Sequence, residues 1–127
     1  MKIELNGKRA IVTGSTAGIG YAIAQGLAEA GAEVTLTGRT QARVDQAVDT
    51  LSQATGASVS GVAADLGTKA GCDTLIEARP ETDILINNVG IFGPKDFFET
   101  DDATWQSFFD VNIMSGVRLS RHYAQGI

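Results

Sequence analysis

The run Thr13-Gly14-Ser15-Thr16-Ala17-Gly18-Ile19-Gly20 follows the short apolar stretch Arg9-Ala10-Ile11-Val12 and opens a helical pattern in which Ile19, Ile23, Leu27 and Ala30 recur. An apolar strand must therefore pass through a loop with few side chains and enter a helix almost at once. Glycine at 14, 18 and 20 removes the side chains that would keep a backbone from approaching a pyrophosphate. A helix beginning near Gly18 aims its unpaired N–H groups at such an anion. Strand, glycine loop and helix stand in the order of a dinucleotide-phosphate loop, and a nicotinamide dinucleotide is the first candidate ligand. The same glycines also suit a tight strand-to-helix turn that binds nothing, so the loop alone does not separate binding from packing.

The rest of the chain repeats this alternation. The patterning predicts strands over 8–13, 33–37, 58–63 and 83–86, and helices over 18–30, 41–54, 68–78 and 101–125, with no linker and no low-complexity segment. Four β–α units of this kind predict a Rossmann-type, doubly wound α/β fold in one domain spanning 1–127. Ala10-Ile11-Val12 and Ile84-Leu85-Ile86 are apolar on both alternating faces and are expected to be central strands covered on both sides. Right-handed crossovers give the strand order 3-2-1-4. The crevice between strands 1 and 4 is then the topological switch point, where open α/β sheets place ligands at the carboxyl ends of their strands.

Composition narrows the function. With 43% hydrophobic and 20% charged residues in 127, the chain has the make-up of a globular domain with a real core. A formal net charge of −5 argues against a nucleic-acid partner, which needs a basic surface. Cys72 is the single cysteine and His122 the single histidine, so neither an internal disulfide nor a metal site is expected. No apolar run reaches the ~18 residues of a membrane span. The first residues lack the apolar core of a signal peptide, and a cytoplasmic location is the default expectation.

With these elements in place, the motifs resemble those of the short-chain dehydrogenases/reductases. The family fingerprint TGxxxGxG is matched by Thr13 to Gly20, and NNAG by Asn87-Asn88-Val89-Gly90, with Val89 in place of Ala. Asp65 in Ala64-Asp65-Leu66 and Asn112 in Asp110-Val111-Asn112 match two further positions, and the resemblance covers essentially the whole chain. It implies an oxidoreductase that moves hydride between NADP(H) and a carbonyl/alcohol pair, with this chain as the cofactor-binding half. The cofactor contacts it implies begin with Gly14, Ser15, Thr16, Gly18, Ile19 and Gly20 on the first loop. Arg39, Thr40, Asp65 and Leu66 follow the second and third strands. Asn87, Asn88, Val89, Gly90 and Val111 complete the set.

Several of these residues have a second reading. Asp65 caps the next helix or, as the resemblance implies, meets the adenine amino group. Asn87 and Asn88 serve as turn residues or, in the family manner, brace the central strands and line the cofactor ribose. Asn112 falls among Trp105, Phe108, Phe109, Ile113 and Leu119, on a helix expected to bury a broad apolar face. A buried amide there must find partners or cost roughly 1–3 kcal/mol. The resemblance instead makes Asn112 a catalytic accessory, holding a structural water in a proton relay from the active-site lysine.

Coenzyme choice rests on Gly38-Arg39-Thr40 after the second strand. Gly38 stands where NAD-preferring relatives usually carry Asp, and Arg39 can pair with a 2′-phosphate, so NADP(H) is expected over NAD(H). Ala17 argues the other way, because many NADP-preferring members carry Arg or Lys at that place.

The family's catalytic Ser and its YxxxK pair are not identifiable. Tyr21 is followed four residues on by Gln25, and Tyr123 by Ile127. In the family these residues lie on the fifth strand and the helix after it, so the chain reads as truncated before strand 5. Strand 4 would then be an exposed edge that invites pairing with another chain. A homo-oligomer formed through that edge or the last helix is expected. The alternative function is a non-catalytic nucleotide-binding module, or a remnant that assembles with another chain. Flavodoxin-like and methyltransferase-like domains share the topology but not the two motifs. The substrate is a small carbonyl or alcohol, and Ile91-Phe92-Gly93-Pro94-Lys95-Asp96-Phe97-Phe98 is a candidate wall of its pocket.

Overall fold

A computed structural model describes residues 1–93 and 95–127. Four strands, β1 (Arg9–Val12), β2 (Glu33–Gly38), β3 (Val59–Ala63) and β4 (Ile84–Ile86), form one parallel sheet in the order β3-β2-β1-β4. In β1, Ile11 pairs with Thr35 of β2 on one side and Leu85 of β4 on the other. Between them run α1 (Gly18–Glu29), α2 (Gln41–Thr55) and α3 (Lys69–Ala78). After β4 come a 3₁₀ turn (Phe97–Glu99), α4 (Asp102–Phe109), a π-helical turn (Asp110–Met114) and α5 (Ser115–Tyr123).

Two apolar clusters sandwich the sheet. Ala10, Val12, Val34 and Leu36 face α1 and α2, where Ala24, Ala28 and Leu51 meet them. Ile11 and Val62 face the other layer, with Leu66, Cys72 and Leu75 of the α3 region and Leu119 and Tyr123 of α5. Local chemistry sets the ends of the helices. Thr40 and Thr68 accept hydrogen bonds from the backbone N–H of Arg43 and Gly71, the usual use of threonine at an N-cap. Gly56 closes α2 in the left-handed region at φ 67°, which a side chain disfavours.

Three sequence expectations need correction. The inward face of α1 is Gly20, Ala24 and Ala28, while Ile19 is 75% exposed; the small residues let the helix approach the sheet closely, and the apolar repeat runs along its flank. Ala10, Ile11 and Val12 are buried as a central strand should be, but Ile84, Leu85 and Ile86 are only half-buried, because the order places β4 at the edge. The final helix is not one regular α-helix. Its π turn widens the backbone at Asn112, and the broad face expected to be buried leaves Trp105, Phe109 and Ile113 exposed.

The amino end of the sheet is latched by polar contacts. The Arg79 guanidinium donates from Nε to Thr35 Oγ1 (3.2 Å) and from Nη2 to Ser60 Oγ (2.9 Å). The buried Tyr123 hydroxyl donates to the Arg79 carbonyl at 2.6 Å, and burial pushes its pKa up to about 12. His122 Nε2 meets the Pro80 carbonyl at 2.8 Å, and Cys72 is buried, with Sγ donating to the Leu66 carbonyl.

Two glycines test this packing with opposite signs. At Gly26 on α1 an added methyl meets no atom within 4 Å, so Gly26→Ala should stabilise the fold by about 0.5–1 kcal/mol. At Gly71 the methyl would run into the Asp65 carbonyl, so Gly71→Ala should destabilise by about 1–3 kcal/mol. Urea unfolding midpoints separate the two, and effects of one sign would refute the close seat assigned to α3.

Candidate functional site

The carboxyl ends of β1, β2 and β3 open into a cleft of about 710 Å³. From the glycine loop it is lined by Gly14, Thr16 and Ala17, and from the β2 exit by Thr37, Gly38, Arg39, Thr40 and Arg43. Ala64, Asp65, Leu66 and Gly67 follow β3, and Val89, Gly90, Ile91 and Val111 form the remaining wall. Of the predicted site residues, the fold therefore brings Gly14, Thr16, Arg39, Thr40, Asp65, Leu66, Val89, Gly90 and Val111 to one hollow. Gly18 and Ile19 follow Ala17 as exposed residues. Ser15, Gly20, Asn87, Asn88 and Asn112 do not line the hollow.

The three fingerprint glycines do different jobs. Gly14, at φ 60°, lies so near Val89 that an added Cβ would sit 3.1 Å from its Cα. Gly20 lets α1 reach the Gly14 carbonyl and the Asn88 amide, its Cβ position being 2.5 Å from Asn88 Nδ2. Both therefore serve chain packing. Gly18, at φ 62° with nothing within 4 Å of its Cβ position, leaves open space at the start of the helix. Ala17 provides no side-chain cap, in contrast to Thr40, Thr68 and Asp101 at the starts of α2, α3 and α4. The first N–H groups of α1 lack intrahelical acceptors and are available to an anion. Open backbone, an uncapped helix end and cationic side chains on the opposite wall fit a dinucleotide diphosphate.

Hydrogen bonds hold the loops in register. Thr13, fully buried, accepts at Oγ1 from the Asn88 and Val89 N–H groups, both at 2.9 Å, and donates toward the Ile86 carbonyl at 3.3 Å. Asn88 returns its Nδ2 to the carbonyls of Thr13 (3.2 Å) and Gly14 (3.1 Å). On the other side Ser15 Oγ donates to the Val12 carbonyl (2.6 Å) and accepts from Thr37 N–H (3.0 Å), while Thr37 Oγ1 accepts from Gly14 N–H (3.0 Å). Ser15 and Asn88 thus spend their side chains on bracing. Asn87 is exposed and donates from Nδ2 to Ser120 Oγ on α5 at 3.0 Å.

The second readings resolve similarly. Asp65 does not cap α3, which Thr68 does; its Oδ1 accepts from Gly67 N–H at 3.0 Å, and the carboxylate stands at the cleft. Asn112 is exposed rather than buried, and its amide is satisfied by one residue: Oδ1 accepts from Ile91 N–H (2.7 Å) and Nδ2 donates to the Ile91 carbonyl (3.1 Å). The π turn carries Asn112 there, with Ser115 Oγ donating back to the Val111 carbonyl at 2.7 Å. Beside it is a second hollow of about 380 Å³, lined by Ile91, Phe92, Gly93, Lys95, Phe97, Thr100, Trp105, Phe108 and Asn112. Pro94, part of the predicted pocket wall, lies outside the described residues. Among the described residues no cluster of His, Cys, Asp or Glu could hold a metal ion, and no helix is long and apolar enough to cross a membrane.

Sequence reasoning missed Thr13 as a brace, Thr37 as a lining residue, and Arg43. Arg43 had a signal. Thr40-Gln41-Ala42-Arg43 begins as a capping box, but the fourth residue, where an acid or amide usually completes it, is basic. At Gly38 an added Cβ would lie 2.5 Å from Thr16 Cγ2 and 3.1 Å from Val44 Cγ2, so the Thr16 methyl occupies the room an acidic side chain there would need.

A doubly wound α/β sheet with a glycine-loop cleft at its switch point defines a dinucleotide-binding class of fold. Residues 8–126 match the family model of the short chain dehydrogenases, and the chain belongs to that family. It is 54% identical over 124 residues to the uncharacterized oxidoreductase YvaG of Bacillus subtilis (strain 168), covering 97% of this chain and 47% of that protein. The structure is similar to L-sorbose reductase from Gluconobacter frateurii, solved in complex with NADPH and L-sorbose. The TM-score is 0.93 and the identity 36%, covering 99% of this chain and 49% of the reductase. A putative NAD(P)-dependent gluconate 5-dehydrogenase from Beutenbergia cavernae, with bound NADP, gives a TM-score of 0.89 at 34% identity, covering 99% of this chain and 51% of that one. The chain spans about half the length of the relatives it matches.

The Thr13 brace is directly testable. Thr13→Val leaves two backbone donors without an acceptor and should cost about 2 kcal/mol or more, whereas Thr13→Ser, which keeps the hydroxyl, should cost about 1. Equal losses in chemical unfolding would show that the methyl, not the hydroxyl, does the holding.

Proposed function

We propose that this chain forms the dinucleotide-binding half of an NADP(H)-dependent oxidoreductase that interconverts a carbonyl and an alcohol. The observation that carries the reading is one cleft that joins the uncapped start of α1 to Arg39 at the end of β2. When bound, the nicotinamide cofactor supplies or accepts the hydride. The first-turn N–H groups of α1, at Gly18, Ile19 and Gly20, hold the pyrophosphate. Arg39 and Thr40 hold the 2′-phosphate, and Asp65 accepts from the adenine amino group beside Leu66. Val89, Gly90 and Val111 exclude water from the ribose and nicotinamide side, with Ser15, Asn87 and Asn88 keeping the loops in place. Asn112 is a catalytic accessory, neither acid nor base, that fixes Ile91 where the cleft meets the aromatic-lined hollow. That hollow takes the substrate, and its Phe and Trp rings suit an apolar body.

Two features support assembly with another chain of the same kind: the β4 edge, and the exposed Trp105, Phe109 and Ile113 on the last helical stretch. A second reading is a binding module without turnover of its own. It is favoured by the placement of Tyr123, whose buried hydroxyl is committed to the Arg79 carbonyl with a pKa of about 12.

Titration followed by nicotinamide fluorescence tests the principal reading. NADPH should bind saturably and more tightly than NADH, and Arg39→Asp should move the ratio toward NADH by about tenfold or more. An unchanged ratio would remove Arg39 from the selection, and absence of binding by either nucleotide would refute the cofactor site.

A further inference from the structure

We propose that the Asn6-Gly7 step is a site of self-modification, at which the Asn6 amide is lost through a cyclic imide and replaced by aspartate and isoaspartate. The inference is independent of the cofactor reading, because the step lies ahead of β1, at the amino end of the sheet, and the cleft lies at the carboxyl ends of the strands.

The chain has asparagine at 6, 87, 88 and 112, and only Asn6 is followed by glycine. The other three amides are committed. Asn87 Nδ2 donates to Ser120 Oγ, Asn88 Nδ2 donates to the Thr13 and Gly14 carbonyls, and Asn112 holds Ile91 with both ends of its amide. The Asn6 side chain takes part in none of the hydrogen bonds found among the described residues, and Asn6 and Gly7 are both exposed. Gly7 adds a second difference. It stands in a turn that the Lys8 N–H closes onto the Leu5 carbonyl at 3.0 Å, with φ 77° and no atom within 4 Å of its Cβ position. Its own N–H joins none of the backbone hydrogen bonds found among the described residues.

These are the conditions the reaction needs. The Gly7 amide nitrogen gives up its proton to a base in the solvent and bonds to Asn6 Cγ. The Cγ–Nδ2 bond breaks, and ammonia leaves with the equivalent of that proton. Water then opens the five-membered imide at one of its two carbonyls, giving aspartate in the original main chain or isoaspartate, in which the main chain runs through the side-chain carbon. Nothing is oxidised or reduced, and water is the one co-reactant. A side chain on the following residue would crowd the attacking nitrogen, so Val89 after Asn88 and Ile113 after Asn112 oppose the step even apart from the hydrogen bonds.

The product changes what the turn holds. Leu5 N–H donates at 2.7 Å to the carbonyl of Ala30, the C-cap residue of α1, and the Leu5 side chain packs on the core. The Asn6 oxygen Oδ1 fills the place that a side chain on Gly31 would need. A carboxylate there stands at the carboxyl end of α1, where the helix dipole opposes negative charge. Isoaspartate also adds one carbon to the main chain between Leu5 and Gly7. Both changes loosen the strap that leads into β1 and leave the cleft at the other end of the sheet untouched.

The test is incubation of the full chain in mildly alkaline buffer, with the tryptic peptide 3–8 followed by mass spectrometry and isoaspartate detected by enzymatic methylation. A gain of about 1 Da, the exchange of an amide NH₂ for OH, should appear in that peptide before any peptide that holds Asn87, Asn88 or Asn112. Isoaspartate should accompany aspartate, because direct hydrolysis of the amide yields aspartate alone. An exposed turn outside the sheet opens at almost no cost, so the rate in the folded chain should lie within about threefold of the rate in concentrated urea. Asn6→Ser, which keeps Gly7, should abolish the gain in peptide 3–8. A first gain at Asn87, Asn88 or Asn112, or a gain at Asn6 without isoaspartate, would overturn the proposal. So would an Asn6 that converts in urea but stays intact in the folded chain, since the turn would then protect the amide rather than expose it.

Discussion

The Thr13 hydroxyl is the point on which the site depends. Parallel strands end in backbone groups with no further ladder partner, and those groups must be satisfied before a loop can leave in a defined direction. One buried oxygen accepts from two N–H groups of the loop after β4 and donates toward the β4 carbonyl, while the Asn88 amide answers with two bonds to the loop after β1. The two loops that face each other across the switch point are thus fastened by side chains rather than by the sheet. The glycines follow from this: Gly14 and Gly20 are small because the fastened loops leave no room for a Cβ.

With the loops fixed, charge decides what the cleft can hold. The chain is acidic overall, yet the wall from β2 and α2 presents Arg39 and Arg43, and the facing helix presents free N–H groups rather than a capping side chain. Both walls favour an anion by different means, one by formal charge and one by oriented backbone dipoles. Among the described residues lining the cleft, Asp65 is the acid; it stands after β3, where its Oδ1 accepts from the Gly67 N–H of its own turn.

The half of the molecule after β4 follows other rules. Asn112 bonds the backbone of Ile91 as a strand neighbour would, with both an acceptor and a donor, and the π turn delivers it there. Phe97 and Phe98 on the 3₁₀ turn and Trp105 and Phe109 on α4 remain exposed, with Phe97 edge-on to Phe98 and Trp105. The chain spans about half the length of its relatives.

Much of this was legible in the residues. Alternation of apolar runs with helical periods determined the order of elements, and the connection rules determined the sheet order 3-2-1-4, because each depends on neighbours in sequence. The two fingerprints located the cleft for the same reason. What the tertiary structure decided was the use of each residue. Ser15 and Asn88 became braces, Asp65 left the cap to Thr68, Asn112 came to the surface, and Arg43 joined Arg39 at one wall. These outcomes turn on which backbone groups lie within hydrogen-bond reach across separate β–α units, and that distance is set by packing between segments far apart in the chain, where no local pattern records it.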